Sequence, residues 1–348
     1  MRPESLPTTG NVSGDMPRFQ VLALDGGGLK GIFSAAVLAA IESDLQTSIT
    51  KHFDLIVGTS TGGILALGLG KGMRPHELVE FYVEHGPRVF SGAGSLGAQV
   101  KQWFKTKYDQ KGLQDALRNV LGDTLLGDSK TRLVIPSFSL DDDAAYLFKT
   151  PHHETFRRDW RTPMWKVALA TSAAPTYFPS STHVGGIRHV DGGVWANNPI
   201  LVGVAEAVAF CGSSLDRVRI LSLGTTAAVD HRPERLTAGG YLQWATSSVD
   251  VLLRGQSQSA TDIARHLLPK GHVTRLDPRV PAGLFALDRI SMRELLARGQ
   301  SESRRLLGNG ANLFNHTAAG YAPLYGIETD ADLCRTTEDR RKEDRDGP

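Results

Sequence analysis

Apolar runs that stop abruptly at glycines constrain this chain most. "FQVLAL" at 19–24 runs into "DGGGLKG", and "FDLIVG" at 53–58 runs into "TSTGG". Each is followed by a segment with helical apolar spacing, "IFSAAVLAAIESDL" in the first case and "GGILALGLG" in the second. Strand, turn, helix is thus written twice. "TRLVIPSFSL", "IRHVDGG" and "RVRILSLGT" add three more strand-like runs, with no internal repeat at a solenoid period. Strands alternating with helices predict an α/β protein with a mostly parallel central sheet between two helical layers. Helical spacing dominates 239–268 and 290–307, which predicts a helical C-terminal flank.

Composition removes several classes of function. At 348 residues and 41% hydrophobic content the chain is too apolar to be disordered, and its formal charge of +2 lacks the basic excess of a nucleic-acid binder. Two cysteines, Cys211 and Cys334, make neither a disulfide framework nor a four-ligand metal site by themselves. The opening "MRPESLPTTGNVSGDMPR" has no apolar h-region, and no apolar stretch approaches the roughly 18 residues that span a bilayer. The expectation is a cytoplasmic protein with at most peripheral contact with the inner membrane. Residues 1–17 and the charged 328–348 read as disordered ends around one domain at 18–327, since no linker divides it. In 92–130, "VKQWFKTKY" interleaves lysines with Trp103, Phe104 and Tyr108, and an ordinary surface amphipathic helix is favoured over a lid or lipid-surface helix.

Chemistry concentrates in three turns. Gly58-Thr59-Ser60-Thr61-Gly62 fits G-x-S-x-G, in which a nucleophile on a tight strand-to-helix turn needs neighbours without side chains. The helix that follows would place free N–H groups and a positive dipole end beside Ser60. In "DGGGLKG", Gly26, Gly27 and Gly28 can bring backbone N–H groups close to a developing oxyanion. The same letters spell G-x-G-x-x-G, so a nucleotide-binding module without hydrolase chemistry is the rival reading. Against it, the next strand ends in the glycine of the serine turn rather than in an acidic residue. Asp191, in "RHVDGGVWANNP", follows an apolar run and precedes two glycines, so it could act as base toward Ser60, or simply cap its own turn. His189, two residues earlier on the same side of the strand, leaves a conventional triad open. Ligands of such sheets gather beyond the strands' carboxyl ends, which predicts one shared edge for all three turns.

"DGGGLKG", "GTSTGG" and "DGG", in this order, together with "ATSAAPTYFPS" at 170–180, resemble the patatin-like phospholipases, most convincingly over 19–225. The resemblance implies a three-layer patatin-like fold and a dyad without histidine, with Ser60 as nucleophile, Asp191 as base and Gly26, Gly27 and Gly28 as oxyanion hole. Gly58 and Gly62 flank the elbow, and Lys30 is a candidate contact for a lipid phosphate or an exposed helix lysine. The implied reaction is acyl-ester hydrolysis of membrane phospholipid through an acyl-serine, with no cofactor and no metal. "GTSTGGILAL", "DGGVWANNP" and "ILSLGT" resemble the bacterial branch, which includes anti-phage effectors switched on by a cyclic nucleotide. That implies a cyclic dinucleotide activator made by a partner nucleotidyltransferase, a phospholipid membrane as the surface met, and a homo-oligomer as a further option. Trp244, Arg254 and Arg265 are the first place to look for the nucleotide.

Overall fold

The computed structural model describes residues 18–89, 108–229, 237–240, 244, 248–281, 285–286 and 289–326. Expectations for 1–17, 328–348 and the Trp103 and Phe104 stripe lie outside the described residues. Tyr108, by contrast, is buried in the core beside Tyr177 and Phe178 rather than on a surface helix.

The first glycine-ended runs form β1 (Phe19–Leu24) and β2 (Leu55–Gly58), each leading to a helix, α1 (Gly31–Leu45) and α2 (Thr61–Lys71). After α3 (Pro75–Val89) and α4 (Gln110–Leu121) come β3 (Arg132–Ser139), β4 (Ala144–Lys149) and α5 (Met164–Thr171). β5 (Ser181–Val184), β6 (Ile187–Asp191), the one-turn α6 (Gly193–Ala196) and α7 (Ile200–Ala209) follow. The chain continues through β7 (Val218–Leu223), β8 (Ala227–Val229), α8 (Ser248–Leu267), β9 (Val273–Leu276), β10 (Arg279–Pro281) and α9 (Met292–Gly310).

β1 is central, parallel to both β2 and β7, with β9 parallel outside β7 and β3 parallel to β2. β4, β5 and β6 are antiparallel additions. Alternation along β1 separates two cores. Leu22 and Leu24 join one that holds α1, α2, α3 and α9, while Val21 and Ala23 join the other with α7 and α8. The expected helical flank is therefore two separate things, since α8 covers one face of the sheet and α9 packs on α1 across the other.

One pairing detail decides where the site lies. Val134 pairs with both Val57 and Lys149, and Ser137 with both Asp191 and Tyr146, so β4 lines one edge of β3 while β2 and β6 share the other. β2 runs along β3 and β6 runs against it, so their carboxyl ends meet across a gap at Ile135 and Pro136. The three turns do converge, but the Asp191 turn arrives from the opposite direction rather than from a parallel neighbour. A proline fits at the gap because its missing N–H has no ladder partner to serve there.

Candidate active site

Ser60 occupies the step from β2 to α2 with φ 56° and ψ −122°, a conformation a non-glycine residue rarely adopts. Crowding explains its neighbours. A Cβ on Gly58 would lie 2.2 Å from the Gly62 carbonyl oxygen, and one on Gly62 would lie 2.2 Å from that of Leu24. Hydrogen bonds then fix the elbow. Thr59 donates its N–H to the Leu24 carbonyl (3.1 Å) and its hydroxyl to that of Ala196 (2.6 Å). The Ser60 N–H donates to Thr171 Oγ1 (3.0 Å), whose hydroxyl donates to the Pro136 carbonyl (2.5 Å), bridging the gap between β2 and β6. Thr171 was not singled out from the sequence, although "ATSAAPTYFPS" contains it.

Across that gap, Ser60 Oγ donates to Asp191 Oδ2 at 2.6 Å, and the Gly193 N–H donates to Asp191 Oδ1 at 2.7 Å. Both side chains are nearly buried, Ser60 8% exposed and Asp191 5%. Burial pushes the Asp191 carboxyl up to about 6, against the pull of the Ser60 and Gly193 hydrogen bonds. A carboxylate in this position is mostly ionised at neutral pH yet more basic than one in water. His189 does not join them. Its ring is fully buried between Tyr146 and Phe148, neither nitrogen has a hydrogen-bond partner, and burial lowers its pKa so that it stays neutral. The triad alternative therefore has no geometric basis.

The glycine loop after β1 lies against the elbow: a Cβ on Gly26 would come within 3.3 Å of Ser60 Cβ. The expectation for Gly26 needs correction, because its N–H donates to the Asn197 carbonyl (2.9 Å) and is not available to an oxyanion. The Gly27 and Gly28 N–H groups have no acceptor among the described residues, and Gly28 sits at φ 58°. Thr61, first residue of α2, adds an N–H without an intrahelical acceptor. Lys30 follows directly, its Nζ donating to the Thr226 carbonyl at 3.3 Å.

Beneath the loop lies a charged cluster that sequence reasoning missed. Asp25 takes two hydrogen bonds from Arg275 (2.7 and 2.6 Å) and one from Ser257 (3.1 Å), while Arg275 also reaches Asp277 (3.0 Å) and Ser222 (2.7 Å). No local pattern announces a pair 250 residues apart in sequence.

Two of the residues marked for a nucleotide lie on one helix. Arg254 and Arg265 lie eleven positions apart on α8, about 16 Å along its axis, and Arg265 pairs with Asp262. Trp244 lies outside that helix and is partly exposed. Among the described residues no group of three or more His, Cys, Asp or Glu is placed to hold a metal ion, and no helix is long and apolar enough to cross a membrane.

Residues 22–204 match the family model described as patatin-like phospholipase. The chain is 36% identical over 303 residues to a cGAMP-activated phospholipase of Pseudomonas aeruginosa, spanning 84% of this chain and 90% of that one. A cGAMP-activated phospholipase of Escherichia coli is 37% identical over 225 residues, which cover 61% of this chain and 63% of its own. Patatin-like protein 2 of Arabidopsis thaliana is 31% identical over 300 residues, 74% of this chain and 71% of that one. An α/β fold of this kind with these relatives defines a lipid acyl hydrolase. The chain belongs to the patatin-like phospholipase family.

Proposed function

We propose that this chain hydrolyses fatty-acyl esters of membrane phospholipids with Ser60 as nucleophile and Asp191 as its base, and that a cyclic dinucleotide switches it on. The observation that carries the chemistry is the 2.6 Å hydrogen bond from Ser60 Oγ to Asp191 Oδ2 at a strained elbow. Ser60 Oγ attacks the ester carbonyl carbon as its proton passes to Asp191. The tetrahedral oxyanion is held by the N–H groups of Gly27, Gly28 and Thr61, with the α2 dipole behind them. Collapse breaks the bond to the alcohol oxygen, which takes the proton from Asp191 and departs as lysolipid. Water then gives its proton to Asp191 and attacks the acyl-serine; the bond from Ser60 Oγ to the acyl carbon breaks, Ser60 takes the proton back from Asp191, and the fatty acid leaves. Lys30, next to the loop, supplies a cation for the lipid phosphate.

Activation by a nucleotide is supported by the relatives named cGAMP-activated phospholipases, and we propose with it a role as a membrane-degrading effector of bacterial anti-phage defence. The working unit is one domain over 18–327. The test follows free fatty acid from phosphatidylethanolamine and phosphatidylglycerol vesicles, with and without a panel of cyclic di- and trinucleotides. Ser60→Ala and Asp191→Asn should each lose at least about 10³-fold. Wild-type turnover in either variant removes the dyad, and full turnover without nucleotide removes the switch.

A further inference from the structure

The loop that carries Gly27 and Gly28 is anchored at nearly every polar group except the two N–H groups the chemistry needs. The Asp25 N–H donates to the Leu223 carbonyl (3.0 Å), the Gly26 N–H to that of Asn197 (2.9 Å), and Thr225 Oγ1 donates to the Gly26 carbonyl (3.1 Å). The Asp25 side chain makes the remaining attachment, and its chief partner is the Arg275 guanidinium. That fork also reaches Ser222 on β7 and Asp277. Asp277 in turn packs on Gly224, where a Cβ would lie 2.2 Å from its Oδ1. Arg275 thus touches three parts of the frame around the loop while lying beyond residues 22–204, the segment that matches the family model.

We propose that Arg275 is a positioning residue for the oxyanion loop: by fixing Asp25 in two directions from β9 it sets where the Gly27 and Gly28 N–H groups point beside Ser60. This rests on the dyad reading above. A planar fork suits the task because its two parallel hydrogen bonds fix orientation as well as distance, which a lysine ammonium cannot do. Displacing the loop by a fraction of an ångström would leave substrate binding and the Ser60–Asp191 bond in place while weakening the hold on the oxyanion.

The full chain is compared with Arg275→Lys and Ser257→Ala using p-nitrophenyl butyrate, under the nucleotide condition in which the wild type turns over. Measured are kcat, KM, the affinity of a trifluoromethyl ketone whose Ser60 adduct carries an oxyanion, the pH midpoint and the melting temperature. Arg275→Lys should lower kcat by roughly 10- to 100-fold, on the scale of a weakened oxyanion donor. KM should stay within about threefold, trifluoromethyl ketone affinity should fall in parallel with kcat, and the pH midpoint should not move. Ser257→Ala keeps the ion pair and removes one hydrogen bond to Asp25 and a longer one from Arg275, so it should show the same pattern at a few-fold and serves if Arg275→Lys does not fold. Folded variants with wild-type kcat and inhibitor affinity, even if they melt lower, would make Arg275 a stability clamp and overturn the proposal. Absence of Ser60-dependent turnover in the wild type would remove the dyad reading and this one together, whereas turnover indifferent to Arg275 and Ser257 removes this one alone.

Discussion

Burial of Asp191 costs the fold stability, and pH exposes that cost. Burial raises its pKa from 3.8 to about 6, so between those values the folded chain keeps a proton that the unfolded chain has released. The contribution of Asp191 to stability therefore falls as pH rises from about 4 to 6, by about 3 kcal/mol for the full shift at 1.36 kcal/mol per unit, and stays reduced above. Asp191→Asn, whose amide can still accept from Gly193 and donate to Ser60, should be about 1–3 kcal/mol more stable than wild type at pH 8. Urea unfolding at pH 8 and pH 4 checks this, and the gap should close at the lower pH. On the proposed dyad catalysis has the opposite slope: kcat/KM should drop close to tenfold per unit below about pH 6, as Asp191 becomes protonated. Ser60 stores strain of another kind. Glycine adopts φ 56° without penalty, so Ser60→Gly should be about 1–3 kcal/mol more stable than Ser60→Ala, though neither carries the proposed nucleophile.

At the scale of elements, the register of β6 on β3 decides which side chain meets Ser60. Asp191 faces Ser137 and His189 faces Ser139, so the two residues differ by one pleat repeat. His189→Phe should keep kcat within a few-fold, because the ring fills an aromatic pocket and makes no hydrogen bond; ester turnover and a thermal melt would show it. β1, β2, β3 and β7 were legible because buried strands write continuous apolar runs and glycines end them. β4 and β9 were not. "AAYLFK" exposes its first residues and "VTRL" fully buries only its last, so neither makes a run. Ser60 and Asp191 could be read from motif and order, whereas the direction of β6, the commitment of the Gly26 N–H and the Arg275 cluster depend on contacts between distant segments. An ion pair has no period to read.

For the molecule as a whole, the match over residues 22–204 stops well short of the folding unit. β7 and β9 complete one side of the sheet, and Val218, Ile220, Ala260 and Ala264 belong to the core that Val21 and Ala23 enter. A chain ending at residue 210 would expose that core and should show no cooperative melt. Biosynthesis gives the same fact another meaning. Asp191 leaves the ribosome 131 residues after Ser60, and Arg275 follows 250 residues after Asp25. At about 5–20 residues per second the serine waits on the order of ten seconds for its partner, and longer for β9. On the proposed dyad, a nascent chain therefore has no assembled site until β6 has been made, and no clamp on its glycine loop until β9 follows.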